Sequence, residues 1–157
     1  LAREKTPIIT TEETPFEIGK AQVLFSPAKD AKAEVGIIAT GALVYKAIKV
    51  AEELEKEGKR VKVLNLATVK PLDEDAVWKL AHEAGAIVTV EEHQIAGGMG
   101  SAVAECLAQH FPVPIEFIGV KNKFGQSGTP DELLEHYGMG EKDIKLAVGR
   151  VLLRKMK

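Results

Sequence analysis

The stretch Ile87 to Gly100, IVTVEEHQIAGGMG, constrains this chain more than any other. Ile87, Val88, Thr89 and Val90 form a short, mostly apolar and β-branched run, the composition of a strand buried on both faces of a parallel sheet. Glu91, Glu92 and His93 follow at its carboxyl end, and Gly97, Gly98 and Gly100 open a helical pattern. In that pattern Val103, Cys106, Leu107 and His110 recur at i, i+3, i+4 and i+7. A strand passing through an acidic, glycine-rich turn into a helix is half of a βαβ unit. In open α/β sheets the crevice outside such strand ends is where ligands bind.

The flanking sequence repeats the alternation. Val35 to Ala39 reads as a buried strand, and Val44, Ala47, Ile48, Ala51 and Leu54 make a helical stripe that stops at Gly58. Val61 to Leu66 is a second strand. Asp73 is placed to cap a helix carrying Ala76, Val77, Leu80 and Ala81, which Gly85 closes. Ile115 to Val120 is a fourth strand, after Pro112 and Pro114. Gly125 to Gly128 is a loop, and Thr129-Pro130-Asp131-Glu132 has the residue order of a capped helix start. A final helix runs through Ile144, Ala147, Val148, Val151 and Leu152. Four alternations of strand and helix predict an α/β fold, a three-layer α/β/α sandwich around a mostly parallel, Rossmann-like sheet.

Residues 1 to about 20 break this rhythm. Pro7, Pro15 and a Thr/Glu cluster argue for an extended arm without a core of its own, and Lys20 to Phe25 has the composition of an edge strand. The expected division is an extended arm over residues 1–25, lying on another domain or crossing to a partner, and an α/β domain over 26–157. The sequence opens at Leu1 and reads as a section of a longer polypeptide.

Composition excludes several classes. With 45% hydrophobic residues, 28% charged residues and a formal net charge of −2, the chain offers no strong field to nucleic acid or anionic lipid. No apolar run approaches the roughly 18 residues of a membrane span, and no signal-peptide pattern is visible. A single cysteine, Cys106, excludes an internal disulfide and fits a cytoplasmic setting.

Each chemical candidate has a plain structural counterpart. Gly97, Gly98 and Gly100 could hold an anion on the helix N-terminus, or let the helix pack tightly. They fail the dinucleotide fingerprint, because its third glycine would fall at Val103. Glu91, Glu92 and His93 could form a general-base cluster, yet neighbours on a strand point to opposite faces, which favours a hydrogen-bonded turn or an interface. His82, His110 and His136 are scattered and are expected to face solvent without a metal. Cys106, on an apolar helix face, behaves as a small hydrophobe. No catalytic, cofactor-binding or metal-binding set is complete.

Taken together, Pro7 to Lys20 (PIITTEETPFEIGK), Ile37 to Ala42 (IIATGA), Leu64 to Asp73 (LNLATVKPLD), Ile87 to Glu105 and Val120 to Gly128 (VKNKFGQSG), with Thr129 to Tyr137 after them, resemble the C-terminal domain of transketolase-type enzymes. The likeness extends over essentially the whole chain and is nearest to split transketolases, encoded as two shorter chains. 1-Deoxyxylulose-5-phosphate synthase and the β subunit of 2-oxoacid dehydrogenases share the domain more distantly. The resemblance implies thiamine diphosphate and Mg²⁺ bound by domains absent from this chain, with no catalytic residue here. It also implies that the arm over residues 1–25 is a linker from an upstream domain, partnership with upstream domains or an N-terminal subunit, and a homodimer.

Overall fold

The computed structural model describes residues 6–28 and 31–156. Among these residues, five strands form one sheet in the order β1-β3-β2-β4-β5: β1 (Gln22–Phe25), β2 (Val35–Ala39), β3 (Val61–Asn65), β4 (Ile87–Gln94) and β5 (Ile115–Val120). β2, β3, β4 and β5 are parallel, and β1 pairs antiparallel with β3 at one edge. The helices are α1 (Val44–Lys56), α2 (Glu74–Ala84), α3 (Met99–His110), α4 (Pro130–His136) and α5 (Glu141–Lys155).

The period of two along each strand sorts the core into two layers. Val35, Ile37 and Ala39 of β2, with Val88 and Val90 of β4, pack against α1 and α5. Ile38 and Ile87 point the other way, into the layer built by Val77, Leu80 and Ala81 of α2 and Met99, Val103 and Leu107 of α3. Gly36 lets α2 come this close, since a Cβ there would lie 2.7 Å from Leu80 Cγ. The three-layer sandwich anticipated from the alternation is the one observed.

Local chemistry sets the element ends. Gly85 closes α2 in the left-handed region at φ 64°. Asp73 caps α2 with one carboxylate oxygen on Ala76 N at 3.1 Å, while the other accepts from Ala21 N at 2.9 Å. The cap therefore also ties the approach to β1. Asp73→Ala is expected to lower stability by about 1–2 kcal/mol, with Asp73→Asn recovering most of it, as read by urea unfolding.

Among the described residues of 6–20 there is no helix or strand. This stretch is fastened at Gly19 N, which donates to Thr68 Oγ1 at 2.9 Å. Ile9 packs partly on the α1/α5 layer, whereas Ile8, Phe16 and Ile18 are exposed. No helix is long and apolar enough to cross a membrane among the described residues.

Candidate functional site

The chain reverses direction of winding at β2: α1 leads to β3 on one side, and the next parallel strand, β4, is laid on the other. The carboxyl ends of β2 and β4 therefore flank the switch point, the position where such sheets carry ligands. The Ile87–Gly100 stretch lies on the β4 side of that switch point. β4 runs past Val90 to Gln94, longer than the apolar run alone indicates, with a register irregularity between Val90 and Gln94 where it meets β5.

Glu91 explains the extension. It lies on the same face as Ile87 and Thr89, toward α3, and only 2% of it is exposed. Its Oε2 accepts from Met99 N at 2.7 Å and its Oε1 from Gly100 N at 2.8 Å. A helix N-terminus is an anion site because its first amides are unpaired and its dipole favours negative charge. Here the anion is supplied from within the chain. The glycines permit it: a Cβ on Gly98 would strike the Glu91 carboxylate and the Gln94 carbonyl, and one on Gly100 would lie 2.7 Å from Thr89 Oγ1. Thr89 Oγ1 is itself buried and has no hydrogen-bond partner among the described residues.

The remaining members of the turn separate. Glu92 and His93 are exposed, and His93 Nδ1 stands 2.9 Å from the Gln94 carbonyl oxygen. Glu91, Glu92 and His93 thus do not converge. Gly97 is at φ 79°, with open space where a Cβ would stand, and its N–H donates to Ser101 Oγ at 2.9 Å. Ser101 Oγ in turn donates to the Ile95 carbonyl at 2.7 Å, which fixes the turn.

Residues that sequence reasoning passed over hold the neighbouring loop. Gln94 Nε2 donates to the Lys123 carbonyl, and Asn122 N donates to Gln94 Oε1, both at 2.9 Å. Tyr137 Oη donates to the Phe124 carbonyl at 2.8 Å, leaving the Phe124 ring fully exposed. The carboxyl edge beside β4 thus presents Glu92, His93 and the Lys121–Phe124 rim to solvent. Side-chain amides carry little periodic signal, so nothing in the sequence singled out Gln94, the last residue of β4.

The histidines outside the turn are exposed, as anticipated, but not isolated. His82 makes tilted ring contacts with both Trp78 and Phe111, with ring centroids 5.4 and 5.2 Å away. His110, placed on the apolar stripe of α3 by spacing, is at the surface because the stripe ends one turn earlier, at Leu107. Cys106 is buried, and burial together with the Glu74 carboxylate pushes its thiol up from the ordinary range. Such surroundings disfavour the thiolate and with it a nucleophilic role.

With fold and turn defined, comparisons place the chain in a class. The family described as transketolase, C-terminal domain, matches residues 26–144. The chain belongs to that family.

A 6-deoxy-6-sulfo-D-fructose transketolase subunit of Clostridium sp. (strain MSTE9) is 42% identical over 155 residues, spanning 99% of this chain and 47% of that protein. A putative transketolase C-terminal section of Methanocaldococcus jannaschii is 38% identical over 147 residues, 92% of this chain and 44% of that protein. Among solved structures, a split-gene transketolase described as an inactive beta4 tetramer superimposes with a TM-score of 0.89 at 40% identity, covering 98% of this chain and 48% of that one. The chain thus spans about half the length of these relatives.

Proposed function

We propose that the chain is the assembly domain of a transketolase that transfers two-carbon ketol units between sugar phosphates in the cytoplasm. Thiamine diphosphate and Mg²⁺ are held by upstream domains or a separate N-terminal subunit, and this segment supplies no catalytic residue. It is inactive alone and contributes to a homodimer. The observation that carries the reading is the match along residues 26–144, in a chain that spans about half of its split-type relatives. The internal anion at α3 supports it: Glu91 occupies the amides that an external phosphate or diphosphate would use. The description of the neighbouring structure as an inactive tetramer also supports association without catalysis. On this reading the exposed rim from Glu92 to Phe124 faces a partner surface, and residues 1–25 are the linker from the middle domain.

A second reading has its own observation. 1-Deoxy-D-xylulose-5-phosphate synthase of Heliobacterium modesticaldum is 39% identical over 134 residues, 85% of this chain and 20% of that enzyme. The test assays the chain alone, then with its upstream section restored, under thiamine diphosphate and Mg²⁺. Ketol transfer between sugar phosphates is expected only on reconstitution. Turnover or tight cofactor binding by the 157 residues alone overturns the assembly reading. Synthase activity without ketol transfer establishes the second reading.

A further inference from the structure

Away from the glycine turn, three side chains of metal-ligating type converge between the first turn of α2 and the last turn of α3. One carboxylate oxygen of Glu74, Cys106 Sγ and one ring nitrogen of His110 all lie within 4.8 Å of one another. Cys106 and His110 stand four residues apart on α3, so they share a face. Packing of α2 on α3 brings Glu74 across to them.

The arrangement has the depth of a site. Cys106 is 5% exposed at its floor and engages in no disulfide, while Glu74 and His110 stand at the surface, where a cation can enter. His110 Nε2 is 3.8 Å from Glu74 Oε2, too far for a hydrogen bond. With bonds of about 2.0–2.1 Å to nitrogen and oxygen, two ligands of a tetrahedral ion stand roughly 3.3 Å apart, so a small side-chain closure suffices.

We propose that Glu74, Cys106 and His110 bind one thiophilic divalent cation of the zinc class, with water as fourth ligand. A mixed sulfur, imidazole and carboxylate set selects such an ion over Mg²⁺, which takes oxygen ligands. On binding, the Cys106 thiol releases its proton to solvent and the sulfur donates its electron pair to the metal, with no redox change. The bound ion staples α2 to α3. The competing account is an ion pair alone, since an acidic residue in a first helical turn and a histidine in a last one each suit the helix dipole.

Co²⁺ titrated into the full-length protein separates the two accounts. One equivalent is expected to bind, with a sulfur-to-cobalt charge-transfer band that Zn²⁺ abolishes by displacement. The band should vanish in Cys106→Ala. His110→Ala, at an exposed position, should weaken binding by more than the roughly 10–100-fold lost with a merely supporting residue. Glu74→Gln should weaken it in the same direction. No charge-transfer band, or Co²⁺ affinity unchanged in His110→Ala and Glu74→Gln, overturns the three-ligand site.

Discussion

Replacing Glu91 with alanine lowers the stability of the fold by about 2–5 kcal/mol, because two buried amides lose their acceptor at once. The Met99 and Gly100 N–H groups bind the carboxylate at 2.7 and 2.8 Å, in the range of charge-assisted bonds. With the carboxylate gone, neither amide has a partner in the turn and the α3 dipole loses its counter-charge. A void also opens at the switch point. Glu91→Gln should be intermediate: the amide oxygen serves one N–H, while its NH₂ group is turned toward another donor. Glu92→Ala is the control, since that side chain is exposed and should move stability by no more than about 0.5 kcal/mol. Urea midpoints of the three variants check the ordering. Equal midpoints for Glu91→Ala and Glu92→Ala would remove the capping role assigned to Glu91.

The layers were legible because each depends on local repetition. Strands β2 to β5 are apolar, largely β-branched runs, and α1, α2 and α5 carry their apolar stripes at helical spacing. Gly85 ends α2 where its position indicates. The antiparallel direction of β1 was not legible, because four residues at an edge carry no information about which way they pair. The true end of β4 was hidden for a different reason. Glu91 to Gln94 are polar, and composition marks them as turn, yet both carboxylate oxygens of Glu91 are hydrogen-bonded by amides eight and nine residues onward. That pairing exists only once the chain has folded back. The grouping at α2 and α3 was not legible: by sequence His110 is expected to face solvent without a metal, although a spacing of four residues places it on the same helix face as Cys106, and Glu74 joins them through tertiary packing alone.

Gly98→Ala is expected to be the most damaging single methyl in the turn, costing about 3–5 kcal/mol or preventing folding. The reason is steric, since Gly98 is at φ −87° and ψ −167°, a backbone any residue adopts. Its Cβ would enter the space of Glu91 Oε2 and of the Gln94 carbonyl oxygen. The first is held by Met99 N in a carboxylate whose other oxygen is held by Gly100 N, and the second is backbone of β4, so neither can give way cheaply. Gly100→Ala should cost less, because its nearest obstacles are the Thr89 hydroxyl at 2.7 Å and the Phe117 ring at 2.9 Å, both of which are side chains. Gly97→Ala should cost only about 1 kcal/mol, from its φ of 79°, as a Cβ there meets open space. Combining Glu91→Ala with Gly98→Ala tests the mechanism directly. The double variant should lose less than the sum of the two, since removing the carboxylate clears one of the two clashes. Strict additivity would mean that Gly98 and Glu91 act independently, and the turn would then have to be held by something other than its own internal anion.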